Sequence, residues 1–183
     1  MKIGSIHGRF QPFHNEHLDY LMLAIERCDH LVIGITQPNN NNLSTIFGLE
    51  KRTDPTYNPL SYDQRVVMID KVLNELGIPD NKYSFQEFNI DNPIILEKEL
   101  CKSIVCFTTI REAWNRNKIN TLTKLGYKVE ILKEDYSENR ITSSRIRAKI
   151  LSCESSWKKD VPAACSKYLE YIDIYSLLKA TEI

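Results

Sequence analysis

The chain carries no excess charge of either sign: Lys and Arg together number 24, and so do Asp and Glu. A bulk field that would gather nucleic acid or an anionic membrane surface is thereby excluded. Any phosphate site must be a local cluster. No apolar run approaches the length of a membrane span, and Met1-Lys2 leads into a strand pattern rather than a signal peptide. The five cysteines (Cys28, Cys101, Cys106, Cys153 and Cys165) are odd in number and contain no C-x-x-C pair. This argues against a disulfide framework or a zinc site, suits small core residues, and fits a reducing cytoplasm. There is no internal repeat and no composition break. A length of 183 residues, with 42% hydrophobic and 26% charged, fits one globular domain over 1–183 with a substantial core.

What is present is an alternation of strand and helix patterns. Ile3 to Ile6 reads as a strand, His17 to Cys28 as a helix with a Leu18, Leu21, Met22, Ile25 stripe, and Leu31 to Ile35 as a strand buried on both faces. A polar loop from Gln37 to about Leu60 follows, of a length usually functional or mobile. Ser61 and Gln64 form a capping box for a helix running to Leu76 and stopping at Gly77. Tyr83–Phe88, Ile104–Phe107 and Lys128–Leu132 read as strands. Pro93–Leu100 and Glu112–Leu125 read as helices, and the tail from Ser143 is helical. This pattern predicts an α/β, Rossmann-like open parallel sheet of about five strands, with helices on both faces and a helical C-terminal tail. Ligands of such sheets bind beyond the carboxyl ends of the strands, at a topological switch point.

Gly8-Arg9-Phe10-Gln11-Pro12-Phe13-His14-Asn15-Glu16-His17 lies at that place, between the first strand and the first helix. A turn there exposes backbone N–H groups, and the helix start adds partial positive charge. Arg9 offers a planar fork for phosphate oxygens. His14 and His17, three apart, share one helix face. A second candidate is Ile141-Thr142-Ser143-Ser144-Arg145-Ile146-Arg147, where Ser143 and Ser144 open a helix and Arg147 lies one turn on. Singly, each of these residues reads as a cap, a packing residue or a solvated charge. Together they read as a phosphate site.

These two segments resemble the nucleotidyltransferase superfamily with an H-x-G-H signature, most closely the archaeal-type nicotinamide mononucleotide (NMN) adenylyltransferases. Their opening reads like G-R-F-Q-P-F-H-x-G-H, and their second signature like I-S-S-T-x-I-R. Asn58-Pro59-Leu60-Ser61 through Arg65 is similar to their N-P-F-T-x-x-E-R segment. The resemblance implies a single nucleotidyltransferase domain. It would transfer a nucleoside monophosphate from a triphosphate, ATP first, to a phosphorylated acceptor, releasing pyrophosphate. It implies catalytic roles for His14, His17, Arg9, Ser144 and Arg147. Gly8, Phe10, Gln11, Arg65, Arg140, Thr142 and Ser143 would meet the nucleotide. Mg2+ would bridge triphosphate oxygens, with no residue assigned as a metal ligand. The expected partners are a nucleoside triphosphate and a phosphorylated small-molecule acceptor, with no nucleic acid and no membrane; a homo-oligomer stays open.

Three departures from the resemblance concern the acceptor. The glycine of H-x-G-H is Glu16 here. Asn89 to Ile95 has no aromatic where the adenylyltransferases carry a tryptophan that stacks on nicotinamide. Thr108 to Asn115 replaces a small G-N-P-like turn and brings Arg111 and Trp114 toward the expected acceptor pocket. The alternative is therefore a cytidylyltransferase or adenylyltransferase that activates a small phosphate or phosphonate other than NMN. A nucleotide-sensing regulator without catalysis, and a metal held by His14 and His17, are the remaining readings; the metal reading has no third ligand evident in sequence.

Overall fold

Five segments rich in apolar and β-branched residues supply the strands β1 (Ile3–Gly8), β2 (His30–Ile35), β3 (Tyr83–Glu87), β4 (Val105–Ile110) and β5 (Lys128–Glu134). The computed structural model describes residues 1–39, 43, 53–111 and 115–181. All strand pairs are parallel, in the order β3-β2-β1-β4-β5. Between them and after them run α1 (Asn15–Ile25), α2 (Tyr62–Glu75), α3 (Pro93–Glu99), α4 (Asn115–Lys124), α5 (Ser143–Leu151), α6 (Ala163–Tyr171) and α7 (Ile174–Thr181). The expected Rossmann-like sheet of five strands is the sheet observed.

Side chains alternate across the sheet with period two, which divides the core. Leu31, Ile33 and Ile35 of β2, Ile6 of β1 and Phe107 of β4 pack with α1, α2 and the tail helices. Val32 and Cys106 point the other way, into a smaller cluster with Leu96 of α3, Leu122 of α4, and Phe88. The central strands are thus covered on both faces, which is why they read as continuous apolar runs.

The strands extend past their apolar patterns. β1 continues to Gly8 because its ladder with β2 carries on through His7↔Gly34 and Gly8↔Ile35. β5 continues to Glu134 beyond a register shift at Thr108/Thr109. The first helix begins at Asn15, two residues before the expected His17, since its opening turn is polar and gives no apolar signal. The capping box at Ser61 forms both of its hydrogen bonds. Residues 40–42 and 44–52 of the expected Gln37–Leu60 loop lie outside the described residues, as do Glu112 to Trp114.

Chain order reverses between β1 and β4. Crossovers from β1 run outward to β2 and β3, and the chain then returns to β4 on the other side of β1. The two loops leaving β1 and β4 part there and leave a crevice. The tail closes the adjoining side. The Asn15 amide donates to the Asp160 carbonyl at 3.0 Å, Asn15 Nδ2 to that of Lys159 at 2.9 Å, and Cys165 Sγ to that of Phe13 at 3.3 Å. No helix among the described residues is long and apolar enough to cross a membrane.

Candidate active site

The turn from β1 into α1 is built around a close approach. A Cβ on Gly8 would stand 2.8 Å from the Phe10 ring, so only glycine lets the ring fold back over the strand end. Phe10 itself has φ 53, a left-handed conformation uncommon outside glycine. Gln37, two residues past the end of β2, has φ 51. Both conformations are held from beneath by Arg65 of α2, which is completely buried. Its Nη1 donates to the carbonyls of Arg9 at 3.0 Å and Thr36 at 2.7 Å. Its Nη2 donates to Gln37 O at 2.7 Å, and its Nε to Ser61 O at 3.1 Å. Burial lowers its pKa to about 10, so it stays charged at neutral pH. Gln11 clamps the same region: its side chain donates to Leu60 O at 2.8 Å and accepts from Leu60 N at 2.9 Å. The Gln11–Pro12 bond is cis.

His14 is the N-cap residue of α1, and its side chain caps nothing. Its ring stacks on that of His17, with centroids 3.6 Å apart and planes 21° apart. Phe10 meets His17 edge-on at 5.0 Å, and Phe13 lies 5.7 Å from it. Two stacked imidazoles in an aromatic cage resist protonation. Burial, and then the Arg9 charge, push His17 down to about 3. Burial, His17, Arg111 and Arg140 hold His14 well below the ordinary histidine range. The Nδ1 atoms of both rings are buried without a hydrogen bond among the described residues, so each neutral ring keeps one polar atom unengaged.

This state has a thermodynamic signature. The unfolded chain takes up a proton on each histidine near pH 6.5, and the folded site does not until His17 reaches about pH 3. Between those values the unfolded state binds more protons, so stability falls as pH falls. The expected slope from His17 is up to about 1.4 kcal/mol per pH unit. Denaturant unfolding at several pH values below 6.5 checks this against His17→Gln, which should show the shallower slope. Equal slopes would mean that His17 titrates alike in both states.

The second signature comes to the same crevice. Thr142, not a serine, caps α5, accepting the Arg145 amide at 3.2 Å. Ser143 Oγ donates to Pro12 O at 3.0 Å and ties α5 to the first turn. Arg147 Nη2 donates to Ser144 Oγ at 3.2 Å, and Arg147 Nη1 to Gln11 O at 2.5 Å. Its guanidinium lies 5.1 Å from the Tyr57 ring centre. Thus Arg65 and Arg147 have main-chain carbonyls as partners and shape the site from below. Arg9 and Arg140 are half-buried, and Ser144 is exposed.

The β4 side contributes Arg111, which forms an ion pair with Glu16. The other Glu16 oxygen accepts the Ile141 amide at 2.7 Å. Arg140 Nη1 donates to Arg111 O at 3.1 Å, and the Arg111 amide to Asn115 Oδ1 at 3.0 Å. Trp114, expected beside Arg111, lies outside the described residues. Sequence reasoning missed His7, which stacks on Phe88 at 4.2 Å and 2°. Period two from Ile6 places His7 on the opposite face and could have marked it. Phe88 also lies over Gly34, where a Cβ would stand 2.6 Å from the ring. Tyr57 and the Glu16–Arg111 pair were missed too, because each needs residues far apart in sequence.

With this geometry in view, a family model described as "Cytidylyltransferase-like" matches residues 6–149. The chain belongs to the cytidylyltransferase-like family. It is a nucleotidyltransferase. Among curated relatives, it is 28% identical over 177 residues to the phosphonoformate cytidylyltransferase of Streptomyces viridochromogenes, covering 97% of this chain and 95% of that protein. It is also 28% identical over 171 residues to the nicotinamide-nucleotide adenylyltransferase of Archaeoglobus fulgidus, covering 91% and 89% respectively. A solved bifunctional NMN adenylyltransferase/ADP ribose pyrophosphatase from Francisella tularensis superimposes with a TM-score of 0.69 at 18% identity. That match covers 98% of this chain and 52% of that one, so this nucleotidyltransferase spans about half its length.

Proposed function

We propose that this chain transfers a nucleoside monophosphate from a nucleoside triphosphate to a small phosphate or phosphonate acceptor, with release of pyrophosphate. The observation that carries the reading is the stacked, buried His14–His17 pair at the start of α1, which burial and then neighbouring charge, Arg9 for His17 and His17, Arg111 and Arg140 for His14, keep from protonating. A phosphate monoester is already largely dianionic at neutral pH and needs no base to become a nucleophile. What the reaction needs is alignment of two anions and fixed positive potential where charge develops toward pyrophosphate. Neutral imidazoles that donate hydrogen bonds, flanked by permanent guanidinium charge, meet that need. Ser144 and the α5 N-terminus add donors for the triphosphate.

A divalent cation, which we read as Mg2+, fits this site when carried by the triphosphate. Mg2+ takes oxygen ligands, and the groups around the crevice are imidazoles, guanidiniums and the Ser144 hydroxyl, with Glu16 engaged by Arg111 and Ile141. Bound there, it would neutralise phosphate oxygens.

The acceptor reading rests on Glu16, Arg111 and Phe88. The one aromatic at the end of β3 is completely buried against His7 and Gly34, while a cation stands past β4. Both suit a compact anion, and CTP with a phosphonate is the pair that the Streptomyces relative's name suggests. ATP with NMN is the second reading. A cavity of about 200 Å3 past β2 and β3, lined by Gln37, Glu87, Asn89 and Asp91 among others, favours it, because its acidic rim suits a cationic ring carrying an amide. Pyrophosphate release from each of the four triphosphates, against phosphonoformate and against NMN, tests both. Turnover of CTP with phosphonoformate is expected to lead. Turnover of ATP with NMN alone would install the second reading, and no release with any pair would remove both acceptors.

A further inference from the structure

Glu16 stands where the related signature has glycine, and its carboxylate is doubly engaged: it pairs with Arg111 and accepts the Ile141 amide. Arg111 follows β4 and Glu16 follows β1, so the pair spans the crevice at the point where sheet order reverses. Both side chains are largely removed from solvent, at 16% and 18% exposure, so their charges are poorly screened. Arg140 is bonded to the Arg111 carbonyl, which gathers a second cation beside the first. The arrangement is a cationic cluster already supplied with its own anion.

We propose that Glu16 is the built-in counter-anion of Arg111, and that an anionic acceptor binds by replacing it. Glu16 is then a specificity-determining residue. Only an acceptor with a full anionic group, a phosphate, phosphonate or carboxylate oxygen set, competes with a carboxylate for the guanidinium fork. Neutral groups at the same place leave the pair closed. The proposal rests on the transferase reading for the word acceptor, but the anion exchange stands on the pair itself. It also explains why a charged residue is tolerated beside two neutral histidines. Glu16 offsets Arg111 until a ligand anion takes over, and its second contact, to Ile141, persists and keeps the second signature in register.

The variant that isolates the charge is Glu16→Gln. It retains a side-chain oxygen for the Ile141 amide and removes the competing carboxylate. Calorimetric titration of the whole chain with inorganic phosphate, phosphonoformate and NMN, each separately, should show at least one anion binding about tenfold more tightly to the variant than to the parent. ATP and CTP affinity should stay within about twofold, because Arg9, Ser144 and the α5 N-terminus are untouched. Adding Arg111→Ala to Glu16→Gln should abolish the gain. Unchanged or weaker anion binding in Glu16→Gln overturns the proposal, as does a gain that survives loss of Arg111, or binding of none of the three anions by either protein. A parent that releases no pyrophosphate with any pair, yet shows the Arg111-dependent gain, would sink both acceptor readings and leave the anion exchange in place.

Discussion

His17→Ala yields a folded protein that turns over about 10² to 10³ more slowly than the parent. The expectation comes from the state of the ring rather than from its presence in a motif. His17 is held neutral by burial and then by Arg9, with its pKa pushed down to about 3, so it does not charge and discharge near neutrality as a proton acceptor would. Its role is that of a fixed dipole and donor, and a donor of that kind is worth most in the transition state. The loss should therefore fall on kcat, with the Kd for triphosphate changed much less. Steady-state pyrophosphate release, with triphosphate binding measured separately, provides the check. Near-parental kcat would take His17 out of the chemistry and leave it as the packing partner of Phe10, Phe13 and His14.

Arg65→Met should cost about 3 kcal/mol or more of folding stability, lowering Tm by roughly 6–12 °C. Four main-chain carbonyls lose their guanidinium donors, and two left-handed residues, Phe10 and Gln37, lose the group that holds them. Arg65→Lys should recover part of this, since an ammonium brings three donors but not the planar fork. Thermal melts of the three proteins suffice. A loss below about 1 kcal/mol would show that the carbonyls find other partners and that Arg65 is present for a ligand after all.

Much of the frame was legible because it rests on local chemistry. The Ser61–Gln64 box, the Gly77 stop, and the apolar runs of β2 and β4 are written in consecutive residues. The two signature segments were legible as well, and the fold brings them together: Ser143 bonds to Pro12, and Arg147 to Gln11. What was not legible was the direction of the arginines. Arg65 and Arg147 resemble phosphate ligands by position, yet the structure turns their donors onto carbonyls that lie 28 to 136 residues away apart from Ser61. The partner of Glu16 was hidden for the same reason. A carboxylate in place of glycine announces a difference, but only the return of the chain to β4 says which cation answers it.

The match to the family model ends at residue 149, but the support of the catalytic turn does not. Past that boundary, Lys159 and Asp160 grip Asn15, Cys165 grips the Phe13 carbonyl, and Glu75 of α2 caps α6 through the Ala164 amide at 2.9 Å. The first turn of α1, which carries both histidines, is fastened from behind by the least family-defining part of the chain. A substitution in the tail can therefore change how firmly the catalytic turn is held without touching a single signature residue.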